Sequence, residues 1–119
     1  MAVIHITKEN FEKEVLRSSE PVLLDFWAPW CGPCRMVSPI VDQVSNEVDA
    51  KVCKINIDEQ QELASSFNVM SIPTLMVMQD GEVVDSSVGF RGKEQIKQML
   101  AQSRSPPCGR AGECRRVTR

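Results

Sequence analysis

Apolar positions along the chain follow two alternating periods, which predicts strands and helices in turn. Short apolar runs of strand length fall at residues 2–6, 22–27, 52–57, 74–78 and 82–88. Apolar residues recur with a helical period at 33–47, 60–67 and 93–102. A further helix is predicted after a Thr7 N-cap, with Phe11, Val15 and Leu16 at helical spacing. This order predicts an α/β fold with a mixed central sheet and helices on both faces.

Two cysteines mark the junction between the strand at 22–27 and the helix that follows. Cys31 and Cys34 enclose Gly32 and Pro33, and a Cys-x-x-Cys in this context is typical of a redox motif. The first turn of a helix has unpaired N–H groups and the positive end of the macrodipole, so a thiolate at Cys31 is favoured. Pro33 suits this turn because its missing N–H would have no partner there, and the spacing lets Cys34 close a small disulfide.

Asp25 interrupts the run at 22–27, which is otherwise as apolar as a strand covered on both faces. Alternation places it on the same face as Leu23 and Trp27. A carboxylate buried there costs several kcal/mol unless it is paired, or it stays protonated with a raised pKa. From position alone, Asp25 either reaches water through the strand register or accepts a proton beneath the cysteine pair.

Composition limits the class of protein. The length of 119 residues fits one domain, and 42% apolar with 25% charged residues is ordinary for a globular protein. Residues 1–102 contain nine Lys and Arg against fifteen Asp and Glu, a net charge of −6, which argues against nucleic acid as the main ligand. No run has transmembrane length and the first 20 residues lack a signal-peptide pattern, so we expect no membrane and a cytoplasmic protein.

Residues 27–35, Trp-Ala-Pro-Trp-Cys-Gly-Pro-Cys-Arg, resemble the active-site signature of the thioredoxin family. Further matches follow in the family's order at residues 54–58, 72–74, 80–81 and 88–89, and the resemblance covers about residues 2–102. It implies a thioredoxin fold for residues 1–102 and a monomeric protein disulfide reductase. Such a protein reduces protein disulfides, receives electrons from a thioredoxin reductase and needs no bound cofactor beyond its own Cys31–Cys34 disulfide.

The resemblance also implies roles for individual residues. Cys31 attacks the substrate disulfide, Cys34 resolves the mixed disulfide, and Asp25, helped by Lys54, accepts the Cys34 proton. The peptide bond between residues 72 and 73 is expected to be cis by resemblance, although base rates favour trans. The residues implied in substrate binding are Trp30, Gly32, Pro33, Ile72, Pro73, Gly89 and Phe90, of which Phe90 departs from the family's small residue.

Three rival interpretations remain. An oxidase or isomerase of the same fold is disfavoured because no histidine stands between the cysteines. A zinc site built from Cys31, Cys34, Cys108 and Cys114 is disfavoured because the second pair has five intervening residues and a proline-rich surrounding. A non-catalytic binding module is disfavoured by the intact cysteine pair.

Three further expectations follow from the place of residues in the sequence. His5, the only histidine, is expected to be solvated or structural on an edge strand. Cys53 is expected to be a small buried apolar residue. Residues 103–119 are rich in Pro, Gly and Arg and carry five Arg against one Glu, so a disordered basic tail is expected. The alternative for this tail is redox exchange of its cysteines with the Cys31–Cys34 pair.

Overall fold

The structure is a computed structural model that describes residues 3–103 of the chain. Its elements, in chain order, are β1 Ile4–His5, a π-helical turn at Glu12–Leu16, β2 Val22–Trp27, α1 Gly32–Glu47, β3 Lys51–Asn56, α2 Gln61–Ser66, β4 Thr74–Gln79, β5 Glu82–Val88 and α3 Lys93–Ser103. The element order predicted from the sequence is confirmed. Ser103, expected as the first residue of the tail, is the last residue of α3. The predictions for the rest of the tail, including Cys108 and Cys114, fall on residues outside the described part of the chain.

The five strands form one mixed sheet in the order β1-β3-β2-β4-β5. Strands β1, β3 and β2 are parallel, whereas β4 runs antiparallel to both β2 and β5. The turn between β4 and β5 contains Asp80 and Gly81 with φ of 54° and 82°, the left-handed conformation that a two-residue hairpin requires. The mixed sheet and the hairpin therefore agree with the sequence prediction.

Each face of the sheet has its own apolar core, so helices cover both faces. One core contains Leu23 and Val52 of the sheet with Val37, Val41 and Ile96 of α1 and α3. The other contains the alternate strand positions, among them Leu24, Phe26, Cys53 and Ile55, packed against Val15 and Leu63. Asp25 alternates with Leu24 and Phe26 of the second core, so it shares the face of Leu23, which α1 covers.

The segment before β2 differs from the prediction. It forms a single π-helical turn, closed by the Arg17 N–H donating to the Glu12 carbonyl at 2.9 Å. The Phe11 N–H donates to the Thr7 carbonyl at 3.0 Å, but the turn itself starts after Phe11 and no side chain caps it, so the predicted Thr7 side-chain cap is absent. Leu16, which helical spacing grouped with Phe11 and Val15, is 39% exposed. Two bonds of α-helical spacing, from Phe11 to Thr7 and from Glu14 to Asn10, come before the π-helical bond, so the segment changes from α-helical to π-helical spacing over a short stretch of chain.

Three chain segments meet at one edge of the sheet. Phe26, near the end of β2, pairs with Thr74 at the start of β4, and Thr74 pairs with Val88 at the end of β5. Because α1 begins five residues after β2 ends, the cysteine pair lies beside the residues that precede β4 and follow β5. No helix within residues 3–103 is long and apolar enough to span a membrane.

Candidate active site

The cysteine pair forms the start of α1. Cys31 is the N-cap residue, with extended backbone dihedrals, and its Sγ accepts a hydrogen bond from the Cys34 N–H at 3.2 Å. The two sulfurs are joined in a disulfide with a Cα–Cα distance of 5.3 Å. Gly32 and Pro33 form the first helical positions between them. The Cys31 sulfur thus receives a backbone donor of the helix's first turn, as the sequence predicted for a stabilised thiolate.

Exposure does not separate the two cysteines in the disulfide form. Cys31 is 5% exposed and Cys34 is 3% exposed, and both pack with Ala28, Trp27 and Ile72. The difference between them lies in their surroundings: Cys31 is at the helix terminus, whereas Cys34 lines a cavity with Asp25.

Asp25 is buried on the face that alternation predicted, with an exposed fraction of 2%. Its Oδ1 has no hydrogen-bond partner among the described residues. Burial is the main cause that raises its pKa from 3.8 to about 7, and the positive charge of Lys54 opposes this rise. Asp42 adds to the rise through its negative charge. A pKa near 7 leaves both the protonated and the ionised form of Asp25 populated at neutral pH, which suits a general acid or base.

Lys54 is near Asp25 but is held by other groups. It pairs with Asp25 in the parallel register of β2 and β3. Its Nζ donates a hydrogen bond to Ser38 Oγ and lies 3.9 Å from Asp42 Oδ1. Both partners belong to α1. The sequence predicted the proximity of Lys54 to Asp25 by resemblance but did not predict the partners on α1.

A cavity of about 400 Å³ connects these groups. Its lining includes His5, Asp25, Trp27, Cys34, Ser38 and Lys54. His5, Lys54 and Asp25 form one row across β1, β3 and β2, because each pairs with the next in the strand register. His5 is exposed, as expected, but sequence reasoning missed its place at this cavity, since the pairing of β1 with β3 cannot be read from alternation.

The segment before β4 lies against the disulfide. The peptide bond between Ile72 and Pro73 is cis, which confirms the expectation from the resemblance. Ile72 packs against the cluster that contains Cys31 and Cys34. The Gly89 N–H donates to the Pro73 carbonyl at 2.8 Å, and Gly89 has a φ of 98°. A Cβ at Gly89 would meet no atom within 4 Å, so this glycine is explained by its backbone conformation and not by crowding.

Large apolar side chains are exposed in the segments that meet at this edge. Trp30 is 65% exposed and Phe90 is 46% exposed, and both were predicted as substrate-binding residues. Sequence reasoning missed Met36 and Met70, which are 64% and 91% exposed. The available signal was their position in the sequence. Met36 follows Cys34 of the Cys-x-x-Cys motif by two residues, and Met70 precedes Ile72 by two. The Trp30 Nε1 donates to Asp58 Oδ2 at 3.0 Å, which fixes one edge of the exposed ring.

Cys53 is separate from this site. It is fully buried in the core on the opposite face of the sheet, as predicted. Burial raises the pKa of its thiol to about 12. Residues 3–103 contain no group of three or more His, Cys, Asp or Glu side chains arranged to hold a metal ion.

Comparison with known proteins gives consistent matches. The family model described as thioredoxin matches residues 2–102. The thioredoxin of Bacillus subtilis (strain 168) is 47% identical over 102 residues, which cover 84% of this chain and 96% of the relative. Thioredoxin 1 of Synechococcus elongatus is 54% identical over 97 residues, covering 80% of this chain and 91% of the relative. Thioredoxin 1 of Nostoc sp. is 48% identical over 101 residues, covering 83% and 94%.

Proposed function

The chain belongs to the thioredoxin family, and on this premise we propose how its residues divide the work of a protein disulfide reductase. The reaction itself is dithiol–disulfide exchange through the Cys31–Cys34 pair, and the family needs no cofactor beyond these cysteines. The roles of the single residues, the reductase partner and the compartment are the parts that we propose.

Cys31 is the attacking nucleophile in the reduced protein. Its thiolate attacks one sulfur of the substrate disulfide, and the other substrate sulfur leaves as a thiolate. Cys34 then loses its proton to Asp25 and attacks Cys31 Sγ, which releases the second substrate sulfur. The substrate disulfide has gained two electrons, and the pair ends as the Cys31–Cys34 disulfide.

One observation carries this assignment: the two cysteines have different neighbours. Cys31 Sγ accepts the backbone N–H of the helix's first turn, which favours a thiolate without any base. Cys34 lines the cavity that contains Asp25, a carboxyl group whose raised pKa of about 7 suits proton transfer near neutral pH. The nucleophile is thus activated by the helix terminus and the resolving thiol by a base.

Substrates dock on the apolar surface around the disulfide. This docking surface consists of Trp30, Gly32, Pro33, Ile72, Pro73, Gly89 and Phe90, to which the exposure of Met36 and Met70 adds two residues. Flexible methionines adapt to substrates of different shape. An extended substrate segment fits the backbone beside Pro73, in the manner of a strand added to an edge.

Electrons come from a thioredoxin reductase, and the reaction takes place in the cytoplasm. A disulfide reductase does net work only where an electron supply keeps it reduced, which favours a compartment with reduced thiols. Both sulfurs, Asp25 and Lys54 belong to one chain, so a monomer suffices for every step. Residues 1–102 form the working domain in this proposal, and residues 103–119 take no part in the exchange.

Trapping of a mixed disulfide tests the division between the cysteines. The Cys34→Ser variant should attack a disulfide substrate and remain covalently bound to it, because the resolving sulfur is missing. The Cys31→Ser variant, which keeps the same number of thiols, should neither trap the substrate nor reduce it. Intact mass spectrometry of the non-reduced mixture measures the adduct. Trapping by Cys31→Ser with an inert Cys34→Ser would reverse the assignment.

A further inference from the structure

Ser38 holds the ammonium group of Lys54 on α1. The Lys54 Nζ donates to Ser38 Oγ, and Asp42 Oδ1, at 3.9 Å, is its second anchor on this helix. Ser38 follows Cys34 by four residues and precedes Asp42 by four, so the three lie along one side of the helix. The Lys54 side chain is 12% exposed, whereas that of Asp42 is 57% exposed. The hydroxyl is therefore the inner anchor and the Asp42 carboxylate is the outer one.

The inner anchor lies in the same cavity as the buried acid. Ser38, Lys54, Cys34 and Asp25 all line it. Asp25 Oδ1 has no hydrogen-bond partner among the described residues, so Lys54 acts on Asp25 through its charge and not through a direct bond to this atom. The strength of such an interaction in a poorly hydrated cavity depends steeply on the distance between the charges.

We propose that Ser38 is a positioning residue for proton exchange between Asp25 and Cys34, because its hydroxyl keeps the Lys54 ammonium inside the cavity and facing Asp25. The inference rests on the proposed role of Asp25 as proton acceptor. In this inference, Ser38 contacts neither sulfur and acts only by fixing the position of the Lys54 charge.

Loss of the hydroxyl has a definite direction of effect. Without Ser38 Oγ, the remaining anchor is the exposed Asp42 carboxylate, and an ammonium on a flexible stem moves toward water. The Lys54 charge then moves away from Asp25, so the charged form of Asp25 is less favoured and its pKa rises further. The substitution leaves the other titratable groups near Asp25 in place, namely His5 on β1 and Cys34, Arg35 and Asp42 on α1. The residue of β4 that pairs with Asp25 is the apolar Leu75, so it contributes no charge.

Titration of the Asp25 carboxyl carbon by ¹³C NMR tests the inference in the oxidised full-length protein, where the disulfide removes both active-site thiols from the titration. Ser38→Ala should raise the Asp25 pKa by about half a unit or more, since a nearby opposite charge shifts a carboxyl pKa by about 1–3 units. Ser38→Thr retains a hydroxyl and should restore the original value. Asp42→Asn should lower the Asp25 pKa, because it removes a negative charge and leaves Ser38 as the anchor.

A matched control separates this effect from a general effect of removing a helix serine. Ser66 donates its hydroxyl to the Glu62 carbonyl within α2, on the other face of the sheet, so Ser66→Ala should leave the Asp25 pKa unchanged. Alanine is at least as good a helix former as serine, so both substitutions keep the helix. Below the Asp25 pKa, a rise of half a unit lowers the deprotonated fraction about threefold. The rate of mixed-disulfide resolution at pH 6 should fall by the same factor in Ser38→Ala and recover at pH 8.5.

The outcomes distinguish the inference from the function on which it rests. An unchanged or lowered Asp25 pKa in Ser38→Ala overturns the inference and leaves the role of Asp25 intact. A pH profile of resolution that is identical in Asp25→Asn and in the unsubstituted protein overturns the proton-acceptor role and, with it, the role of Ser38. Three results together support the inference. The Asp25 pKa is raised in Ser38→Ala, it returns to the original value in Ser38→Thr, and resolution at pH 6 is slowed by Ser38→Ala only when Asp25 is present.

Discussion

Replacement of Asp25 by Asn should stabilise the protein, and by an amount that depends on pH. In the folded chain, burial raises the pKa of Asp25 from 3.8 to about 7. At about 1.4 kcal/mol per pKa unit, the ionised carboxyl destabilises the fold by about 4 kcal/mol above pH 7. Asn has nearly the same shape and no charge to desolvate, so it removes this penalty.

The sign follows from proton binding. Between about pH 4 and pH 7, the folded chain still holds the Asp25 proton after the unfolded chain has lost it. The stability of the unsubstituted protein therefore falls as pH rises through this range and levels off above the folded-state pKa. The asparagine variant lacks this contribution, so the stability difference between the two chains should change in its favour by up to about 4 kcal/mol between pH 4 and pH 8.5. A constant packing cost of the amide, of about 1–3 kcal/mol, cancels in this comparison between pH values.

Urea denaturation of both proteins in the disulfide form, at four or five pH values between 4 and 8.5, measures this difference. All other titrating groups are common to the two chains and cancel in the difference between their free energies of unfolding. A difference that does not change with pH would refute the reasoning, because it would mean that the Asp25 pKa is unperturbed. An advantage that shrinks as pH rises would also refute it, because Asp25 would then be a carboxylate stabilised in an ion pair with Lys54.

Two further predictions concern the cysteines outside the active site. Cys53 is fully buried and its pKa is raised to about 12. Iodoacetamide at pH 8 should therefore alkylate Cys31 in the reduced folded protein and leave Cys53 unmodified, as measured by peptide mass spectrometry. Comparable labelling of Cys53 would contradict this burial. Deletion of residues 104–119 should leave both the melting temperature and the rate of disulfide reduction unchanged, because every residue proposed for the exchange lies in residues 1–102. A large loss of rate on deletion, reproduced by combining Cys108→Ser with Cys114→Ser in the full chain, would show that the tail is a redox partner.

The parts of the fold that follow from local pattern were predictable from the sequence. The strand at 22–27, the hairpin at Asp80 and Gly81, and the long helix after the cysteines each carry a strong local signal, and all three are present. The short turn at Glu12–Leu16 was misjudged because five residues are too few to establish a helical period. Alternation also placed Asp25 on the correct face, since Leu23, two residues before it, belongs to the core under α1 and α3.

The parts of the site that depend on strand pairing were not predictable. Alternation shows that His5 and Lys54 avoid the apolar side of their strands, but it cannot show that they stand in one row with Asp25. The bond from Lys54 to Ser38 likewise depends on how closely α1 packs over β3. The cis bond at Pro73 was expected only through the resemblance, because nothing in the local sequence distinguishes it from the commoner trans form.

Asp25 is difficult to explain by folding alone. It lies in the middle of a strand whose neighbours are fully buried, one of its oxygens has no hydrogen-bond partner within residues 3–103, and its ionised form opposes folding. An apolar residue at this position would fill the same space without that cost. A buried acid with a pKa of about 7 beside Cys34 does have a chemical use in the function proposed above, in which it accepts a proton from Cys34 at neutral pH. The lost stability is thus what we expect where a chain retains a proton acceptor beneath its redox-active disulfide.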